Sequence, residues 1–365
     1  MDRPGAALYR YELPLRRALP TGRGELRRRR GLLVCLRDEQ GRAGWGEAAP
    51  LAGWGGPGLD ATGAVLADWL LAAVPFEAPE ALADRAEDSL REAPCAWAAI
   101  AGAAADLAAR RRDVSLASFL AAEAPGLADS PAGQVPTAAL IAGDSPAAVA
   151  AAAAEAVSAG HRTLKLKVGS ALLAADVARV AALREAAPAA ALRLDANGAW
   201  GAEAADAVAA LARFEPELVE EPCRGLPRLR RLQARSAVPL AADESLPPLG
   251  EIRSCLPLGV AAAVLKPSAL GSPIWVLRAA SALAETATAA IIGSFLESAV
   301  GTATAAHTAA AAGGPAAGLG TSALLGRDVC EPPAVRQGAL RLPPGPGLGL
   351  APDPAADIQL VEAFA

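Results

Sequence analysis

The chain's 34 basic Lys and Arg residues include only three lysines, Lys165, Lys167 and Lys266, each inside a short strand-like apolar run. Arginine can fill any solubilising or salt-bridging role, but its guanidinium stays charged far above neutral pH. A lysine ammonium can be tuned by burial and neighbouring charge until it works as a base near neutrality. Lysine has therefore been kept where amine chemistry is useful, which makes these three positions the first candidates for an active site.

Acidic residues close the next apolar segments: Asp195 after Leu192-Arg193-Leu194, Glu220 after Leu218-Val219, Asp243 after Leu240-Ala241-Ala242, and then Lys266 after Ala263-Val264-Leu265. The steps from Lys167 to Lys266 are each about 25 residues, the length of a strand, loop and helix in a (β/α) barrel. One functional group thus recurs per unit at the same strand end. Side chains from several strands converge on one ligand at the C-terminal rim of such a barrel. Three carboxylates gathered there repel unless a cation joins them, and a hard divalent ion with oxygen ligands suits them, Mg²⁺ first.

Strand alternation sends Lys165 and Lys167 to the barrel interior and Leu164, Leu166 and Val168 to the helices, and the same parity turns Arg193 inward with Asp195. Two ammonium groups that close depress each other's pKa, which fits one of them for work as a base. Arg193 reads either as a ligand for a substrate carboxylate or as an internal counter-ion of the acids. Glu221 and Glu244 read as supporting groups, and Trp45 and Glu47 as interface packing or substrate contacts.

Other classes of function are poorly supported. A formal net charge of −5 does not suit nucleic-acid binding, and the Arg27 to Arg30 cluster is too short to alter that. Met1-Asp2-Arg3-Pro4 lacks an apolar signal core, and the uncharged stretch after Glu297 is too weakly hydrophobic for a membrane span, so a cytoplasmic location is expected. Cys35, Cys95, Cys223, Cys255 and Cys330 have neither zinc spacing nor an even count and read as free thiols. With His161 and His307 as the two histidines, a histidine metal site or triad is not expected.

The first 130 residues read as α+β. Strands are predicted at Tyr9 to Pro14, Gly31 to Arg37 and Gly41 to Glu47, with a polar loop from Thr21 to Arg30. Helices are predicted at Leu59 to Ala73, Pro79 to Arg91 and Cys95 to Arg112. From Val135, beginning with a strand to Ala142, β and α segments alternate to Gly293, and seven or eight strands suffice to close a barrel. The fold class is α/β: a modified (β/α)7β TIM-type barrel (residues 131–330) behind an N-terminal capping domain (1–130), which the C-terminal tail (331–365) completes.

Lys165-Leu166-Lys167, Asp195-Ala196-Asn197, Glu220-Glu221-Pro222-Cys223, Asp243-Glu244-Ser245, Lys266-Pro267 and Glu297-Ser298, in this order, resemble the muconate-cycloisomerase-like branch of the enolase superfamily over nearly the whole chain. Gly31 to Arg37 and Gly44 to Leu51 are similar to its capping-domain segments. The resemblance implies Mg²⁺ on Asp195, Glu220 and Asp243, with Mn²⁺ as a substitute, and a small carboxylate substrate rather than nucleic acid or membrane.

Within the branch, the motifs are most similar to those of enzymes that dehydrate 2-succinyl-6-hydroxy-2,4-cyclohexadiene-1-carboxylate to o-succinylbenzoate for menaquinone. That implies Lys167 as the base, Lys266 as a positive charge on the opposite ring face and Lys165 beside the carboxylate. Arg193, Asn197, Gly293, Ser294 and Glu297 are implied around the substrate. The departures from those enzymes, Gly293-Ser294-Phe295, Gly198 and the region near Gly320, fall in the same pocket. The alternative is racemisation of N-acylamino acids or epimerisation of dipeptides, with both lysines as bases. Dipeptide epimerases usually carry an Asp-x-Asp where this chain has Gly318-Leu319-Gly320-Thr321. A Schiff-base lyase would leave the three acids without a role.

Overall fold

The computed structural model describes residues 5–21, 24–51, 54, 56–72, 90, 92–124, 127, 130–247, 249–353 and 358–364. It opens on a long antiparallel hairpin, β1 (Gly5–Thr21) and β2 (Gly24–Arg37), followed by β3 (Ala43–Ala48). The polar stretch expected to be a loop is therefore mostly strand. Glu12, Leu13 and Pro14 pair with Arg30, Arg29 and Arg28, and Glu12 forms ion pairs with Arg28 and Arg30 across the hairpin. Cross-strand charge pairing lets so polar a segment extend the ladder.

Helices α1 (Leu59–Ala72), α2 (Pro94–Arg111) and α3 (Leu116–Glu123) follow. The helix expected over Pro79 to Arg91 lies largely outside the described residues. From Cys95 to Ala109 every residue of α2 is buried. Its alanines let β3 lie directly on the helix backbone, where a Cβ on Gly44 or Gly46 would overlap the carbonyls of Ala103 or Ala99.

The predicted strand from Val135 to Ala142 is two pieces, β4 (Gln134–Pro136) and β5 (Ala139–Ile141). Thr137 and Ala138 between them donate instead to the carbonyls of Gly338 and Ala317. Strand β5 begins a seven-stranded parallel sheet that continues through β6 (Thr163–Lys167), β7 (Ala191–Asp195), β8 (Leu218–Glu220), β9 (Leu240–Ala242), β10 (Ala262–Leu265) and β11 (Ala289–Ile292), each beside its predecessor. Ala317 and Gly318 bridge in parallel to Thr137 and Gly293, so a short segment joins the sheet's two edges.

Outward residues of these strands, Leu164, Leu166, Leu192, Leu194, Val219 and Leu240, share a core with Val149, Val180, Leu183, Val208 and Leu211 of the surrounding helices. Inward residues Leu218, Ala241, Ala262, Val264 and Ile291 form a separate apolar floor. By the same parity, the next inward positions up are Glu220, Asp243, Lys266 and Gly293.

The C-terminal tail returns over both halves. Strands β12 (Val335–Arg336) and β13 (Ala339–Arg341) pair beside β4, and β14 (Ile358–Phe364) adds an edge to β1. Helix α11 (Ala299–Ala312; the described α-helices from Pro146 to Ala284 are α4 to α10) is almost wholly buried. Within it His307 accepts from Ala117 N and lies against Leu348 O, and burial lowers its pKa to about 4. It is a packed histidine. The five cysteines are free, and none of the described helices is long and apolar enough to cross a membrane.

Candidate active site

The parallel register lines up the acids. Lys167 is paired with Asp195 and Asp195 with Glu220 on neighbouring strands; Glu220 in turn pairs with Ala241, and Asp243 stands two residues further along, just past β9. Asp195, Glu220, Asp243 and Lys266 are buried, whereas the Lys167 side chain remains 51% exposed at the rim. Lys165 Nζ lies 2.8 and 2.7 Å from the two carboxylate oxygens of Glu220 and 2.9 Å from Asp195 Oδ2. Lys167 Nζ donates to Asp195 Oδ2 at 2.8 Å and to Asn197 Oδ1 at 2.6 Å. Lys266 Nζ donates to Asp243 Oδ2 at 2.5 Å.

Electrostatics separate these groups. Burial alone would lower the Lys165 pKa, but the charges of Asp195, Glu220 and Asp243 outweigh it and leave the pKa raised. The expectation that neighbouring ammoniums depress one another therefore fails for Lys165, because its carboxylate neighbours dominate. Burial also acts to raise Asp195, yet Lys165 and Lys167 hold it well below the usual carboxylate range. Glu220 is pushed up to about 7 by burial and by the charges of Asp195 and Asp243, against Lys165 and Lys266. Burial likewise raises Asp243 despite Lys266. Burial outweighs the ammonium beside each of Glu220 (Lys165) and Asp243 (Lys266), which leaves both short of compensating positive charge.

That shortage bears on a metal. Among the described residues, no three His, Cys, Asp or Glu side chains already enclose one point as a metal cage; ammonium groups stand among the oxygens instead. The donor set nevertheless fits a hard divalent cation: it is all carboxylate, and Asp243 Oδ1 is buried without a hydrogen-bond partner. Asp195, Glu220 and Asp243 are the residues that would hold it.

The surrounding shell is built from strand-end loops. Glu221, in the left-handed region at φ +43°, accepts from Asp243 N at 2.9 Å and from the Ser245 hydroxyl, fixing the turn that carries Asp243. Burial raises its pKa to about 7. Asn197, also left-handed, donates from Nδ2 to Glu244 Oε1 at 2.9 Å while holding Lys167, so it links the two loops.

The other expected pocket residues divide. Gly293 lies against the Lys266 stem: a Cβ there would sit 3.3 Å from Lys266 Cγ. The Ser294 hydroxyl is engaged by Gly318 O and Thr321 Oγ1, and Glu297 is buried, accepting from Phe295 N. Burial and the charge of Glu47 raise the Glu297 pKa.

Arg193 is engaged away from the acids. Its guanidinium binds Glu217 through Nε and Nη2 and Ala316 O through Nη1, with the side chain 3% exposed. Inward parity places it inside the barrel but one layer below Asp195, where Glu217, just before β8, is its acidic partner. Its polar partners are Glu217 and Ala316, and not Asp195, Glu220 or Asp243. Trp45 packs on Tyr9, and Glu47 accepts from Tyr11 Oη, Ser298 N and Gly301 N, capping α11 across the interface. Both are packing residues.

An aromatic pair that strand parity does not reveal stands beside Lys266. The Trp54 ring lies over Lys266 Nζ, 3.9 Å from centroid to nitrogen, and meets Phe295 edge to face at 4.9 Å. The available signal was a tryptophan set among glycines, Gly53-Trp54-Gly55-Gly56, just after the Ala49-Pro50-Leu51 segment.

A curled parallel sheet with lysines and acids on successive strand ends, under a sheet-and-helix cap, is the architecture of the enolase superfamily. Residues 148–356 match the family model "Enolase C-terminal domain-like", and the chain belongs to that family. Residues 4–81 match the model "MenC, N-terminal domain".

The o-succinylbenzoate synthase of Mycobacterium ulcerans (strain Agy99) is 40% identical over 210 residues, covering 53% of this chain and 62% of that protein. Its counterpart in Mycobacterium tuberculosis (strain ATCC 25618 / H37Rv) is 41% identical over 208 residues, covering 54% and 59%. The aligned region thus spans about three-fifths of these curated relatives. The Enterococcus faecalis V583 dipeptide epimerase complexed with Mg and L-Leu-L-Tyr superposes with a TM-score of 0.85 at 27% identity, covering 96% of this chain and 99% of that one. The muconate lactonizing enzyme of Pseudomonas fluorescens complexed with muconolactone gives 0.85 at 25% identity, covering 96% and 97%.

Proposed function

We propose that the protein dehydrates 2-succinyl-6-hydroxy-2,4-cyclohexadiene-1-carboxylate to o-succinylbenzoate with Mg²⁺. The observation that carries this reading is the inequality of the lysines. The Lys167 side chain is 51% exposed at the rim, whereas Lys266 is 10% exposed, bound to Asp243 and roofed by Trp54. Dehydration needs proton transfer on one face and positive charge on the other, whereas racemisation needs a proton carrier on both. The synthase-named relatives and the match of the N-terminal region support the same choice.

In this mechanism Lys167, in its neutral form, takes the proton from the ring carbon bearing the carboxylate. The C–H electron pair moves into an enediolate. A divalent cation held by Asp195, Glu220 and Asp243 would supply positive charge to the carboxylate oxygens as that charge develops. Lys266 supplies further charge to the anion, and Trp54 and Asp243 hold its ammonium in place. Lys165, with its raised pKa, remains cationic and steadies the acids. Lys167 then returns its proton to the hydroxyl leaving the adjacent carbon, the C–O bond breaks, and one water departs as the ring becomes aromatic. Asn197 and Asp195 aim Lys167 at this work.

A second reading, epimerisation of dipeptides or racemisation of N-acylamino acids, draws on the superposition with the Enterococcus faecalis epimerase. The deciding experiment follows o-succinylbenzoate formation by ultraviolet absorbance with and without Mg²⁺, beside panels of N-acylamino acids and dipeptides. Absence of dehydration together with rapid epimerisation would select the second reading.

A further inference from the structure

The Arg27 to Arg30 cluster has no place in the chemistry above, and the hairpin register splits it. Arg28 and Arg30 turn outward to Glu12, at 2.7 and 2.5 Å, and Arg27 pairs with Glu25. Arg29, on the other face of β2, is 2% exposed. Its guanidinium donates to Leu296 O at 2.8 Å, Pro50 O at 2.9 Å, Arg30 O at 3.2 Å, Phe295 O at 3.3 Å and Ala49 O. A guanidinium has five N–H groups in a fixed fork, and here each has a carbonyl partner.

Those carbonyls come from three segments: Arg29's own strand, the loop leaving β3, and the loop after β11. The second loop leads to Trp54, whose ring lies over Lys266, and the third carries Phe295, which meets that ring edge to face. Leu296 beside Phe295 is held at φ +59°, a conformation that a non-glycine residue keeps only when its surroundings impose it.

We propose that Arg29 is a positioning residue for the active site: by binding the Ala49–Pro50 and Phe295–Leu296 carbonyls together, it holds Phe295 against Trp54 and so sets the Trp54 ring as the cover of Lys266. The proposal rests on reading Lys266 as part of the active site. It does not require dehydration to be the reaction. Lysine at this position would keep the charge, but a single ammonium has no planar fork with which to span three segments.

Arg29→Lys is the test, with Arg28→Lys on the outer face as control. The emission of Trp54 is isolated by subtracting the spectrum of a Trp54→Phe background, and its acrylamide quenching is measured without substrate. Kinetics use whichever substrate the protein turns over. Arg29→Lys should keep the native circular dichroism, make Trp54 more readily quenched, and lower kcat/KM by about tenfold or more. Combined with Trp54→Ala it should cost less than about a further twofold, because both act through one cover. Arg28→Lys should match wild type throughout.

Unchanged Trp54 quenching, additive kinetic losses, or failure of Arg29→Lys to fold would each overturn the proposal, the last by making Arg29 a core residue. A shift in Trp54 quenching in a protein that performs no dehydration would sink the functional reading and leave this one standing.

Discussion

Lys167→Arg tests the mechanism most directly. Lys167 Nζ makes two polar contacts, with Asp195 and Asn197, and half the side chain is open to solvent. A guanidinium can occupy that rim and keep the charge beside Asp195. The fold should barely respond, since a surface change of this kind alters stability by no more than about 0.5 kcal/mol. Catalysis should fall steeply, because a group with a pKa above about 12 does not release its proton near neutrality. Losing general acid–base catalysis costs roughly 10²- to 10⁴-fold. At about 1.36 kcal/mol per tenfold, that is roughly 3–5 kcal/mol of transition-state stabilisation, far beyond the effect on folding. The assay pairs thermal unfolding with the initial rate of o-succinylbenzoate formation. A folded Lys167→Arg protein turning over at near wild-type rate would make Lys167 a charge and not a base, and the mechanism would fall.

Chelation should abolish activity and Mg²⁺ or Mn²⁺ restore it, while Asp195→Asn, Glu220→Gln and Asp243→Asn each weaken metal binding by calorimetry; wild-type affinity in all three would place the ligands elsewhere. Lys266→Ala should slow dehydration through poorer stabilisation of the anion, on the order of several kcal/mol. Lys266-dependent deuterium exchange into one enantiomer of an N-acylamino acid, faster than dehydration, would instead favour the racemase. Asp328 carries a pH prediction: burial raises its pKa from 3.8 to about 7. An acid that binds its proton more tightly folded than unfolded loses stability as pH rises between those values. Asp328→Asn keeps the oxygen that accepts from Ala299 N and cannot ionise. Its melting temperature relative to wild type should therefore rise from pH 4 to pH 7, and a constant difference would mean that Asp328 does not titrate in that range.

Strand periodicity made the inner barrel legible. Alternation in Thr163-Leu164-Lys165-Leu166-Lys167 separates core leucines from inward lysines without knowledge of any partner strand, and the recurring acids fix the rim to which they belong. What the sequence by itself determined was therefore the set of chemical groups and their common end of the sheet, because both follow from spacing along one chain. Partners were decided elsewhere. Arg193 points inward as its parity requires, but Glu217, just before the next strand, commits it below the acids. Arg29 sits among three arginines of the same type, and its β1 register turns it inward. The placement of Trp54 on Lys266 joins residues 212 positions apart in the chain. Such contacts depend on how two loops from different halves of the molecule meet, which no local period encodes, and so only the tertiary structure could settle them.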